Sequence, residues 1–599
     1  MRPRRNRNQF INVMQHRTRA IWILIFLACG FTLISFNLIQ IQLVDHDRYL
    51  RQAIANHTHR ESIPARRGSF FDSDGNILAQ TQEVYDVRLD GQLMNADHPE
   101  INLPKIAEAL QVPEEPFVAA FNPRNRDQLL AEDLDDGAVA KLRALKLDSL
   151  IVNEHDRRFY PNNELAAHIL GFVDDDGHGM AGMEKEMDKL LCGTPGERLV
   201  ERDAKKHEIA VYQDQETPAV DGCNVTLTIK MAIQHVVEDQ LDQIEQTYQP
   251  NAAYIIVMDP QTGEILAMSS RPNYDPNDRK TFTPDNTKER CLTDCVEPGS
   301  IFKIITLAGA LNEGMVNLNT QVFCENGSFY YGGKELRDDE PHAWLPVAEV
   351  MAQSSNIGFA KIGINLGEER LYKYATAFGI GQRTGLFTQQ MESPGIFRPV
   401  SQWSALSITR IPMGQEVAAT PIQLVTAMSV IANGGRLVVP RLAKEVTDEA
   451  GNVVKTYQPQ VVRQVISTNA AREVARALEQ VTIDGTAKDV HIQDATGAGW
   501  SYAGKTGTAQ KFIDGQYSHD HHVASFIGFM PAEDPAFVAL VMVDDPKTAP
   551  QQDYGAEVSA PVFANIAKQV AQIMNIPTDL PAPVPAAPVL SSNSTPTTL

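Results

Sequence analysis

Read from the N-terminus, the hydrophobic pattern begins with AIWILIFLACGFTLISFNLIQIQLV, residues 20–44, which carries no charged side chain. As a helix this run reaches about 37 Å, enough to cross a bilayer core of about 30 Å with some tilt. Asp45 and Arg48 end it. The apolar part of a secretory signal is shorter and ends in small residues, and Asn37-Leu38-Ile39 is no such cleavage site, so a retained signal anchor is expected. Beyond it, residues 45–225 read as mixed α/β with much polar connection. RRGSFFDSDGNILAQT (66–81) predicts two strands around an Asp-Gly-Asn turn, and EVYDVRLDG (83–91) alternates as a half-buried strand does. The charge-rich stretch 126–146 predicts a helix, as does MEKEMDKLLCG (183–193), with Gly193 as its C-cap.

From 226 to 576 the pattern changes. MAIQHVVEDQLDQIEQTY (231–248) predicts a helix, and AYIIVMDPQTGEILAMSS (253–270) a hairpin. A helical middle includes 301–314, 357–367 and 420–435. Strand signals return at 504–512, 524–531 and 537–545, and a helix over 560–575 closes the region. Strands early and late with helices between predict an α+β fold, one antiparallel sheet with a helical lobe inserted into it. The expected layout is a basic tail (1–19), a transmembrane anchor (20–44), an α/β pedestal (45–225), a second large domain (226–576) and a disordered tail (577–599) holding six prolines.

Charge sharpens this layout. The 599 residues carry a net charge of −22, and a general nucleic-acid binder would show a basic excess instead. Six cysteines are too few for a disulfide-built scaffold. Residues 1–19, however, hold six arginines and no acid. The positive-inside rule puts that end in the cytoplasm and everything after Asp45 outside. No ATP is supplied there, which disfavours kinases and nucleotide-driven machines.

Three short elements then occur in order: Ser300-Ile301-Phe302-Lys303 (S-x-x-K), Ser354-Ser355-Asn356 (S-x-N) and Lys505-Thr506-Gly507-Thr508 (K-T-G-T). Each is weak alone, since Ser300 and Ser354 could merely cap helices and K-T-G-T could be a turn; the order gives them force. Residues i and i+3 share a helix face, so the Lys303 amine can lie beside the Ser300 hydroxyl. A serine needs an adjacent base, and a lysine serves when burial or a neighbouring cation depresses its pKa; Lys505 is the obvious cation. Gly507 lets a substrate backbone approach its strand, while Lys505, Thr506 and Thr508 suit a substrate carboxylate. The amides of Ser300 and Thr508 suit an oxyanion hole. Ser354 suits a proton relay, and Asn356 an orienter of Lys303 or of a substrate carbonyl.

These motifs resemble the penicillin-recognising serine transferases and hydrolases. RRGSFFDSDGNILAQ and GMEKEMDKLLCGTPGE (182–197) resemble the N-terminal region of class B penicillin-binding proteins. IVMDPQTGEILAMSSRPNYDPN, GTAKDV (485–490) and AGKTGTAQK resemble their transpeptidase domain. SFIGFMPAEDP (525–535), VDDP (543–546) and YGAEVSAPVF (554–563) look most like the cell-division, FtsI-type branch. The resemblance implies a peptidoglycan D,D-transpeptidase. Ser300 would be its nucleophile, Lys303 its base, Ser354 and Asn356 the relay and orienter, and Lys505, Thr506, Gly507 and Thr508 the donor-binding strand. It further implies a stem-peptide donor ending in D-Ala-D-Ala, β-lactams as mimics of that donor, and no metal or organic cofactor. Its partners would be the membrane and, through residues 20–225, a glycan polymerase and other division proteins, with no nucleic acid.

Rival readings are a β-lactamase or D,D-carboxypeptidase, a non-catalytic scaffold or antibiotic sensor, and an elongation-branch transpeptidase. No Glu-x-x-Leu-Asn follows Ser354 to supply a lactamase's second acid. His519, His521 and His522 lack zinc-ligand spacing, and Asp174-Asp175-Asp176-Gly177 lacks that of a calcium loop, so ordinary turns are expected. Cys291 and Cys295 are left as either a disulfide or two free thiols.

Overall fold

The computed structural model describes residues 7–202, 208–211, 216–387, 391–513, 515–548 and 552–582. The first six residues of the basic tail and residues 583–599 of the expected disordered tail lie outside them.

The chain forms two compact units. The first joins residues up to Ala65 with Thr194–Val220. Its helix Arg7–Ile39 runs through a π turn, Gln40–Val44, into a second helix, His46–His57. His16–Val44 is long and apolar enough to cross a membrane, and the protein buries none of its most apolar window. Trp22, Phe26 and Phe31 stand 69–80% exposed, an arrangement that lipid satisfies and water does not. Strand Thr58–Ile63 then pairs antiparallel with Gly196–Arg202, which pairs in turn with Glu208–Val211. Ion pairs Arg60–Glu197 and Arg198–Glu61 lie along this ribbon.

The second unit comprises Arg66–Gly193 and Asp221–Leu599, so the pedestal expected over 45–225 is divided between the two units. The reason is a shared sheet. Its strands run in the order Val453–Thr456, Ala443–Thr447, Asn224–Leu227, Phe70–Phe71, Ile77–Leu89 and Gln128–Leu134, with Leu150–Phe159 also on Ile77–Leu89. A strand from the second half of the chain thus hydrogen-bonds into the sheet of the first. The two strands expected around residues 77–91 are one continuous strand. The helix expected over 126–146 is corrected to strand Gln128–Leu134 followed by helix Asp136–Ala144, which Asp135 caps through the Ala138 amide. Leu129 and Leu134 pair with Arg88 and Tyr85, and this long-range pairing outweighs the charge-rich composition. The helix expected over 183–193 breaks at Met187 into Gly182–Glu186 and Asp188–Leu191.

The transpeptidase-like region is built on a five-stranded antiparallel sheet: β1 (Ala252–Met258), β2 (Ile265–Arg271), β3 (Ala503–Ile513), β4 (Gln516–Met530) and β5 (Phe537–Asp544), in the order β2-β1-β5-β4-β3. Every residue of β1 and β2 is buried, which is why their sequences run apolar without alternating. Helix α1 (Met231–Tyr248) buries Ile233, Val236, Val237, Leu241 and Ile244, spaced three to four apart, against the sheet. The lobe between β2 and β3 supplies α2 (Lys303–Asn312), α3 (Val347–Ala352), α4 (Asn356–Leu366), α5 (Glu368–Ala377), α6 (Pro421–Ala432) and α7 (Thr468–Ile483). The closing helix α8 (Gly555–Ile573) packs on β4 and on α1. It begins five residues earlier than the sequence pattern suggests and carries Pro561 inside it. Of the expected tail, Leu580 pairs with Gly499, and Asp579 accepts the Ser501 amide at 2.7 Å, so order extends past residue 577.

A buried charge cluster holds residues 66–193 together. Glu184 is fully buried and accepts from Arg67 Nε and Arg158 Nε, each at 2.7 Å, and from the Tyr160 hydroxyl at 3.2 Å. Arg67 also reaches Asp188 at 2.7 Å. Removing Glu184 would leave two guanidinium groups buried with too little countercharge. Glu184→Ala is therefore expected to destabilise this region by about 3–5 kcal/mol, seen as a lowered melting transition of the full-length protein. An unchanged melting curve would contradict the cluster's role.

Candidate active site

The nucleophile candidate sits on a 3-10 turn, Gly299–Phe302, that leads into α2. Gly299 has φ +52°, a left-handed conformation that glycine adopts without steric cost. A Cβ there would lie 3.1 Å from Ala509 Cβ, so the turn is pressed against β3. The first motif is therefore a tight turn followed by a helix, with Lys303 as the first α-helical residue.

Ser354 and Asn356 come from the loop between α3 and α4. Ser354 has φ +56°, rare for a residue with a side chain and of the kind found at functional sites. Asp338 holds the loop: it accepts the Ser355 hydroxyl at 2.6 Å and the Ile357 amide at 2.9 Å. Ser355 in turn caps α4 through the Gly358 amide at 2.9 Å. Asn356 donates to the Arg337 carbonyl at 3.2 Å, which turns its Oδ1 toward Lys303.

The third motif lies on β3, the edge strand of the five-stranded sheet. A Cβ on Gly507 would fall 2.4 Å from Ser525 Oγ and 3.1 Å from Ile301, so only glycine lets the nucleophile turn pack here. Gly555, at the start of α8, would clash with the Gly507 carbonyl at 2.4 Å if it bore a Cβ. The Gly555 amide also donates to Thr508 Oγ1 at 3.2 Å. This docking explains why α8 starts before its apolar pattern does.

The three motifs meet at one atom. Ser354 Oγ donates to Ser300 Oγ at 3.1 Å and accepts from Lys303 Nζ at 3.1 Å and from Lys505 Nζ at 2.9 Å. Lys303 Nζ donates further to the Ser354 carbonyl at 2.5 Å and to Asn356 Oδ1 at 2.8 Å. Lys505 Nζ donates to the Thr506 carbonyl at 3.0 Å. Lys303 and Ser300 are thus joined through Ser354, whose hydroxyl bonds both. Lys505 differs from the sequence reading: its amine is fully buried and turned toward Ser354, leaving the hydroxyls of Thr506 and Thr508 on the strand.

Both lysines are fully buried, and burial penalises a charged amine. It holds the Lys303 pKa down to about 8, against the pull of Asp338 and Asp339 in the other direction. Lys505 is held well below the usual lysine value, by burial first and then by the charge of Lys303. Two amines on one hydroxyl repel each other's second proton, so they titrate as a unit.

Two contributors carry no motif and were not singled out from sequence. Asp338 anchors the S-x-N loop, and Thr486 shares a 2.7 Å hydrogen bond with Thr506. Thr486 lies in the GTAKDV segment, which this hydrogen bond ties to the strand bearing Lys505. The other candidates have ordinary partners. His521 and His522 pair with Asp545 and Asp553. Asp174 accepts the amides of Asp176 and His178 within its own turn. Cys291 and Cys295 are both free, the first buried and the second beside Ser393.

Comparison with known proteins gives this geometry a family. The profile described as "Penicillin binding protein transpeptidase domain" matches residues 253–568, and "Penicillin-binding Protein dimerisation domain" matches residues 62–227. "Stage V sporulation protein D" of Bacillus subtilis is 34% identical over 92% of this chain and 85% of its own length. "Peptidoglycan D,D-transpeptidase FtsI" of Escherichia coli is 28% identical over 92% of each chain. The crystal structure of penicillin binding protein 3 from Mycobacterium tuberculosis, complexed with aztreonam, superposes with a TM-score of 0.67 at 27% identity, covering 88% of this chain and all of that one. The chain belongs to the class B penicillin-binding proteins, with a dimerisation domain ahead of a transpeptidase domain.

Proposed function

We propose that this protein is a peptidoglycan D,D-transpeptidase that forms a serine acyl-enzyme through Ser300 and acts in septal wall synthesis. One observation carries the chemistry: a single hydroxyl, that of Ser354, is bonded at once to the nucleophile candidate and to two buried amines. The family supports the reaction, and the likeness to FtsI supports the septal branch.

The donor stem peptide lies along the free edge of β3; the space beside Gly507 that the sequence reading gave to a substrate backbone is filled by Ser525 and Ile301. Its terminal carboxylate meets the Thr506 and Thr508 hydroxyls and the field of Lys505. That negative charge faces Lys505, while burial keeps the Lys303 amine easy to deprotonate, so that it can act as the base. Hydroxyls rotate, and the wire then runs Ser300 to Ser354 to Lys303. Ser300 Oγ bonds to the penultimate D-alanine carbonyl while its proton passes through Ser354 to Lys303. The oxyanion faces the amides of Ser300 and Thr508. On collapse the C–N bond breaks, the proton returns to the leaving nitrogen, and D-alanine departs. An amine of a second stem peptide attacks the ester, gives up its proton to the same wire and frees Ser300. A β-lactam follows the first half and stays attached. The helix His16–Val44 anchors the chain with its Arg-rich end in the cytoplasm and the catalytic region outside, and residues 20–225 face the polymerase and division partners.

Fluorescent penicillin is expected to label Ser300, as mapped on proteolytic peptides, and Ser300→Ala to abolish labelling with an unchanged melting curve. Label on another residue would refute the assignment. Ser354→Ala is expected to slow acylation by about 100-fold or more, because the relay loses its middle member. Since the base must be neutral, acylation should climb as pH rises and reach half its plateau near pH 8. A rate that falls between pH 6 and 8 would contradict Lys303 as the base.

A further inference from the structure

Away from the candidate active site, a second cleft has the makings of a binding site. Its floor is one face of α5, where Glu369, Arg370, Lys373 and Thr376 recur at helical spacing beside Tyr372. This open cleft has a volume of about 620 Å³. Arg463, on strand Val461–Gln464, lines it and also a smaller adjoining cavity of about 150 Å³, which Arg383 lines.

Four cations therefore line these two cavities in a protein whose net charge is −22. Among the described residues none of the four pairs with a carboxylate. Among the described residues, Arg370 and Arg383 donate through Nε, to the carbonyls of Leu366 and Glu392, and no hydrogen bond of their outer guanidinium nitrogens is seen. Glu369 is the single acid lining either cavity among the described residues. Four like charges around two adjoining cavities, with one acid among them, give this face a positive field that a ligand carrying negative charge would meet.

A second feature narrows the ligand. Tyr372 stacks on Phe397 at 5.0 Å between centroids, and Trp403 packs on both rings. All three are only partly buried. Of the three, Tyr372 lines the cleft, and a half-exposed ring beside guanidinium forks suits a ligand with flat apolar faces and carboxylate or phosphate groups. Sugar rings present such faces through their C–H groups.

We propose that this cleft binds an acidic saccharide chain, apart from the donor at Ser300. Its source in the wall rests on the transpeptidase reading above; the ligand chemistry does not. The same chemistry comes from peptidoglycan strands, with carboxylates on their peptides, or from a phosphodiester-linked sugar polymer. In either case the site would hold a strand while the active site works on a peptide.

The test uses the full-length protein in detergent with Ser300 already acylated by penicillin, so that the donor site is closed. Uncross-linked peptidoglycan strands and a glycosyl phosphodiester polymer are titrated separately. Binding of one of them is expected, weakened about tenfold or more in Arg370→Ala/Lys373→Ala/Arg463→Ala and by added salt. The polymer that binds identifies the source. Tyr372→Ala should weaken the sugar polymer and leave polyglutamate, a sugar-free polyanion, unaffected. Failure of both polymers to bind, survival of binding in the triple variant, or polyglutamate binding as tightly as the sugar polymer would overturn the proposal. Penicillin labelling of the triple variant at the normal rate separates this outcome from a failure of the transpeptidase reading.

Discussion

Two buried charged amines within hydrogen-bond reach of one hydroxyl repel each other strongly, and neither has water to disperse its charge. Much of this protein's catalytic region can be understood as scaffolding for that unfavourable arrangement. Lys303 is held by the start of a helix packed in the core, Lys505 by an edge strand, and Ser354 by a backbone with positive φ. Each position is expensive alone. Together they make a pair of amines that gives up a proton easily, as the base proposed for Ser300 must.

The surroundings follow from that need. Asp338 keeps the Ser354 loop in place through the next two residues, and its charge, with that of Asp339, limits how far the Lys303 pKa falls. Glycines 299, 507 and 555 let turn, strand and helix approach more closely than side chains would permit. The sheet supplies rigidity: β1 and β2 are buried along their whole length, and β3 is left with one free edge for substrate.

The legible parts of the sequence were those decided locally. Helix α1 ends where its 3.6-residue pattern ends, and the β1–β2 hairpin announces itself by two apolar runs around a turn. The long apolar N-terminal helix was visible as composition. The misread parts were decided at a distance. Residues 128–134 look like a charged helix, yet pair with a strand some forty residues earlier. Helix α8 gains its first turn from contact with Gly507, which no local pattern signals. The active-site residues were legible as types in order. That Ser354, and not Ser300, would be the atom on which both lysines converge was not, because it depends on a left-handed serine and on Asp338. Neither belongs to a periodic or motif signal.

The central claim is that the proton of Ser300 leaves through Ser354, and a proton inventory of acylation tests it most directly. The rate of penicillin acylation would be measured in mixtures of light and heavy water. A relay through two hydroxyls predicts a bowed, two-proton dependence for the native protein that becomes linear in Ser354→Ala. A linear dependence in both, or a bowed one that survives the substitution, would contradict the relay.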